Sequence, residues 1–99
     1  MKTKRLTDEE ILIELINVMF IIAGHDVTYN DVVGRQDKWY EEWTMTSEQE
    51  KKWMEYMTKF FRKHRRMSNR AAQQAASMFN LMWGLKVERA EVPDIDNIN

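Results

Sequence analysis

Residues 59–70 (KFFRKHRRMSNR) carry six cationic side chains, Lys59, Arg62, Lys63, Arg65, Arg66 and Arg70, and no acid. The whole chain of 99 residues has a formal net charge of only −1. Guanidinium groups fork onto pairs of carboxylate or phosphate oxygens, and ammonium groups act as point charges. Several held on one surface grip an acidic protein partner or displace counterions from a nucleic-acid backbone. The bland account is a solvated helix end, where cations complement the dipole. A protein contact ranks first here, and nucleic-acid binding through residues 59–70 is the alternative, set back by the slightly acidic balance of the chain.

The remaining candidates for chemistry are weaker. His25 stands beside Asp26 with Asp31 nearby, a set able to orient a proton transfer or ligate a metal. It lacks a second ligand pair at helical spacing and any nucleophile motif, so a loop or capping role is the better reading. His64 falls among apolar neighbours and reads as a packed residue. Glu41, Glu42, Glu48 and Glu50 flank the joint at residues 44–46 and do not repeat on facing helices beside histidines, as carboxylate-bridged metal bundles require. Three isolated glycines make no phosphate-cradling loop, and no cysteine is present to act as nucleophile, ligand or disulfide. The expectation is a non-enzymatic protein with no catalytic residue, no metal and no cofactor.

Long helices must position these groups. One proline and three glycines leave little punctuation, and 43% apolar with 31% charged residues suits a folded chain. The reading is all-α: a compact bundle of three or four helices in a single domain over residues 1–99, ending in a short irregular tail or arm at about 93–99. Thr7 with Glu10 is a capping box that opens a helix from residue 8 to about 23, with Gly24 as its exit. Its apolar side chains wrap most of the circumference, so it is either central or covered by another subunit. Thr28 with Asp31 predicts a helical turn at about 29–33. A helix from Gln36 or Asp37 to Trp43 would dock Trp39, Tyr40 and Trp43 on the core.

Thr46 with Gln49 starts the most regular helix. Trp53, Tyr56, Met57, Phe60, Phe61, His64 and Met67 fall in one broad arc. Lys52, Lys59, Lys63 and Arg66 run beside that arc, with Arg62 further round. Ser68 caps a last helix to about Trp83, stopped by Gly84, and residues 85–92 read as one short extended segment. The joint at Met67 and Ser68 has the length of a helix-turn-helix corner. No glycine turn follows near residue 77, however, and apolar residues occupy 78–83 where a recognition helix belongs.

Eight Met and four Trp are many for this length, and both types favour contacts between subunits. Residues 1–50 hold 5 basic and 11 acidic side chains and residues 51–99 hold 10 and 5, a polarity suited to pairing with an opposite surface. Residues 11–22 contain ten apolar side chains in twelve, interrupted by Glu14 and Asn17. That is short of the roughly twenty needed to span a bilayer. Acids follow the basic start directly, with no small-residue cleavage site, so a cytoplasmic protein with no membrane partner is expected.

Residues 24–50 (GHDVTYNDVVGRQDKWYEEWTMTSEQE), continuing through the Trp53 helix to residues 80–86 (NLMWGLK), resemble small uncharacterised proteins encoded by tailed phages. The resemblance implies a viral accessory role in host cytoplasm and brings no assigned functional residues. The expected function is self-association and contact with other proteins. Ile16, Phe20, Met78 and Met82 are the expected self-association residues, and the basic set at 59–70 is the partner surface.

Overall fold

The computed structural model describes residues 5–35 and 38–88. Along these the chain forms α1 (Asp8–Ile22), α2 (Tyr29–Val32), α3 (Trp39–Glu42), β1 (Thr44–Thr46), α4 (Ser47–Arg65), α5 (Asn69–Trp83) and β2 (Lys86–Glu88). The architecture is mostly helical, with α1, α4 and α5 as its long members. The expected 93–99 tail and the proposed helix start at Gln36 or Asp37 lie outside the described residues.

Local chemistry accounts for the helix ends. Thr7 and Glu10 exchange bonds to each other's backbone N–H at 3.1 and 2.8 Å, and Thr46 and Gln49 do the same at 3.0 and 2.8 Å. Each box satisfies amides that the first helical turn leaves without partners. Ser68 Oγ accepts from Ala71 N–H to open α5. At α2, Asp31 accepts from both the backbone N–H and the hydroxyl of Thr28, which holds its carboxyl below the usual aspartate range. That contribution to stability is present above the ordinary carboxyl pKa and fades as pH falls through the lowered one.

The two polar interruptions of the apolar run in α1 have assigned places. Asn17 Oδ1 accepts the first amide of α2, from Tyr29, at 2.6 Å. Glu14 is exposed and meets Tyr56 of α4. Gly24, at φ +81°, makes the left-handed exit from α1 that a side chain resists. His25 Nε2–H then donates to the Thr44 carbonyl at 2.8 Å, tying this exit to β1. Of the loop and capping roles read from its position, the side chain fills the loop one.

α1 lies antiparallel to α4: Asp8 meets Arg65 near one end and Glu14 meets Tyr56 further along. α4 and α5 form a helical hairpin through Arg66, Met67 and Ser68. Leu15, Ile16, Met19 and Phe20 of α1 pack with Trp53, Met57, Phe60 and Phe61 of α4 and with Ala72 and Ala76 of α5. The two buried alanines present a small-residue face of α5 to the core, while Phe79 packs on Trp53 and Phe61 and Trp83 on Trp39. Phe20 stands at the hub, edge-on to Trp39 and Trp43 at 5.7 and 5.5 Å between ring centroids.

Two features differ from the sequence reading. The joint at 44–46 is a strand: β1 pairs in parallel with β2 in the register Thr44↔Lys86, Met45↔Val87, Thr46↔Glu88. The hairpin of α4 and α5 serves as its crossover, returning the chain to its own base. Second, Ile16 and Phe20 are 0% exposed inside one chain. α1 therefore buries this apolar face within one chain, and α4 is the helix that touches α1, α5 and both strands. Burial against α4 and α5 removes both residues from the surface, so they are core residues and not association residues.

Candidate functional site

The end of α4 gathers the basic residues by helical spacing alone. Positions 59, 62, 63 and 66 are separated by three or four residues and so share one side of the helix. Lys59, Arg62, Lys63 and Arg66 line one open depression of about 520 Å³ together with Met67, and no carboxylate enters that lining. Glu55 belongs to the neighbouring groove between α4 and α5, where Lys51, Lys59, Arg62, Asn69 and Gln73 also face. Glu14 belongs to the groove on the other side, between α1 and α4, with Tyr56, Phe60, Lys63 and His64.

The structure divides the six cations. Arg65 is half-buried and donates to Asp8 at 2.9 Å, joining the last turn of α4 to the first turn of α1. Each partner also has the favourable sign for its helix end. Arg65 is thus a structural clasp. Arg70 is exposed on the first turn of α5, outside the depression. Lys59, Arg62, Lys63 and Arg66 are exposed, and among the described residues no acid pairs with any of them. His64 packs on Phe60 at 4.4 Å between centroids, a packed residue as its spacing suggested.

In the groove between α1 and α4, the Tyr56 hydroxyl donates to Glu14 Oε2 at 3.4 Å. Burial, and then the negative Glu14 beside it, push the Tyr56 phenol above its ordinary value. The folded state keeps this proton where the unfolded chain has lost it, so the associated stability is intact below about pH 10 and declines as pH rises further. Glu14→Gln is expected to lower the Tyr56 titration part of the way and leave the contribution of burial. Phenolate absorbance during an alkaline titration measures it; an unchanged titration would show that Glu14 has no hold on the phenol.

A second surface lies along α5. Met78, Leu81 and Met82 are 65%, 81% and 60% exposed. Their i, i+3, i+4 spacing makes them neighbours on one face, opposite the buried Ala72 and Ala76. The sequence reading names Met78 and Met82 on this face as association residues, and the structure leaves both exposed. Leu81 was missed, although it completes the same face at helical spacing. Exposed Arg70, Gln74 and Ser77 extend that side toward the basic end.

Asn80 was also missed. Its Oδ1 accepts from the indole N–H of Trp53 at 3.0 Å, and its amide reaches Glu50 at 3.4 Å, so it fastens α5 to α4. Nothing in local sequence distinguishes this Asn from a solvated one. Among the described residues no group of three His, Asp or Glu side chains is placed to hold a metal ion, and no helix is long and apolar enough to cross a membrane. The chain matches no known protein family, and searches of curated proteins and of solved structures find no match either.

Proposed function

We propose that this protein acts by contact with other proteins, copies of itself included, with Met78, Leu81 and Met82 as the apolar centre of the contact. The observation that carries this reading is the exposure of three large apolar side chains on one face of α5. Clustered apolar surface mostly marks an interaction site, and methionine is enriched where such sites are buried. The proposed role is non-enzymatic. The resemblance to tailed-phage proteins fits an accessory protein working in host cytoplasm.

Light scattering at two protein concentrations tests the proposal. The expected result is a dimer or larger species that Leu81→Glu returns toward the single-chain mass of 12.0 kDa with helical circular dichroism unchanged. Burying a leucine side chain stabilises by about 1.5–3 kcal/mol, so losing it weakens association by roughly ten- to a hundredfold. A wild-type protein of single-chain mass at both concentrations would sink self-association. A variant as associated as the wild type would remove the α5 face from the contact.

A further inference from the structure

We propose that the depression lined by Lys59, Arg62, Lys63 and Arg66 is a phosphate-binding surface for the backbone of double-stranded nucleic acid. This does not rest on association through α5, which concerns other residues.

The first observation is charge without compensation. Four cations converge on one depression that holds no carboxylate, and none of them pairs with an acid among the described residues. Asp8 pairs with Arg65, and Glu55 and Glu14 line the flanking grooves. Like charges brought together repel one another, and an anion supplied from outside relieves that repulsion. Lys59, Arg62 and Lys63 on the last turns of α4, with Arg66 at its C-cap, span about 10 Å along the helix axis.

The second observation concerns the backbone. Arg66 ends α4 at φ 51°, ψ 39°, in the left-handed region, and is the one non-glycine residue with positive φ among those described. Glycine takes this conformation without penalty and is the usual residue at such a helix end. An L side chain resists it. The chain carries an arginine where glycine would make the same turn more easily. Residues kept in such conformations concentrate at functional sites, and here the guanidinium is what glycine would lack.

The chemistry of the lining selects the partner. A protein partner is anchored by aromatic or aliphatic side chains entering a desolvated pocket, and Met67 is the sole apolar residue here. Single strands are held chiefly by stacking of bases on aromatic rings, and no aromatic side chain lines this depression. What remains is repeated contact with phosphate oxygens, by two forked guanidinium and two ammonium groups. A duplex offers phosphates in that repeating form, and binding is expected to ignore base sequence.

Fluorescence anisotropy with a labelled DNA duplex, a single strand of equal length and labelled poly-glutamate, each across a salt series, tests this. The expected duplex Kd is about 10⁻⁴–10⁻⁶ M at physiological salt, with a slope of log K on log salt near −3.6 for four phosphate contacts. Arg62→Gln with Arg66→Gln is expected to cut affinity at least tenfold and the slope by about two. Arg66→Gly separates binding from folding. It should lower the slope by about one while the Tm holds or rises by up to about 5 °C. Absence of salt-dependent duplex binding, tighter binding of the single strand or of poly-glutamate, an unchanged slope in the double variant, or a lower Tm in Arg66→Gly would each overturn the proposal.

Discussion

Phe20→Ala is expected to cost about 3–5 kcal/mol of stability, the range for emptying a buried aromatic site. For a domain of ordinary stability, about 5–15 kcal/mol, that removes a large share of the total. The side chain is fully buried on α1, and its ring meets Trp39, Trp43 and His25 edge-on at 5.7, 5.5 and 6.4 Å. These three residues come from α3, its C-cap just before β1, and the exit of α1. Emptying the site therefore loosens the short elements as well as the contact of α1 with α4. Urea unfolding should show a midpoint lower by roughly 2 M, taking a slope of about 1–3 kcal/mol/M. Near-ultraviolet circular dichroism from the tryptophans should weaken with it. A loss below about 1 kcal/mol would mean that Phe20 is not the hub of the core. Any fall in assembled mass in this variant should track unfolding, in contrast to Leu81→Glu.

Gly84→Ala is expected to cost about 2–3 kcal/mol through overpacking. Its φ of −69° suits any residue, so the reason is space and not backbone freedom. A Cβ at this position would stand 2.1 Å from Asn80 Oδ1 and 2.4 Å from the Asn80 carbonyl oxygen. Both oxygens are in use: Oδ1 accepts from Trp53, and the carbonyl accepts from Gly84 N–H at 2.8 Å. The methyl group must displace the end of α5 and disturb the Trp53 bond. Asn80→Ala alone should cost about 1–3 kcal/mol, since it leaves the Trp53 indole N–H without its partner. The double variant should lose less than the sum of the two, because one truncation removes the side-chain oxygen that the other strikes. Its recovery should be partial, because the carbonyl clash stays. Urea unfolding of the three variants, followed by tryptophan fluorescence, measures the coupling. Strict additivity would show that the side-chain oxygen is not what excludes a Cβ from residue 84.

The parts of the fold legible from sequence are those whose causes lie within four residues. Thr7 with Glu10, Thr46 with Gln49, and Ser68 each mark a helix start by supplying an acceptor to an amide two or three positions on. The basic cluster was legible for the same reason: consecutive helical turns place Lys59, Arg62, Lys63 and Arg66 together wherever the helix goes. The β1–β2 ladder was not. Thr44 and Lys86 pair across the whole helical hairpin, and a three-residue strand has no pattern long enough to announce itself. The split within the cluster was equally hidden, because Arg65 is withdrawn by Asp8, 57 positions away.

The amino-acid sequence by itself determined the helices, their capped beginnings, the amphipathic character of α4 and the concentration of cations at its end. These depend on short-range hydrogen bonds and on a 3.6-residue period that every residue carries with it. Only the tertiary structure decided which apolar residues became core. Ile16 and Met78 are both large, apolar and helical, yet Ile16 is enclosed between neighbouring helices and Met78 stands 65% exposed. The difference lies in the alanines at 72 and 76. Their small side chains draw one face of α5 against α4, turning Met78, Leu81 and Met82 outward, and burial on packing belongs to the pair of surfaces that meet rather than to either helix alone.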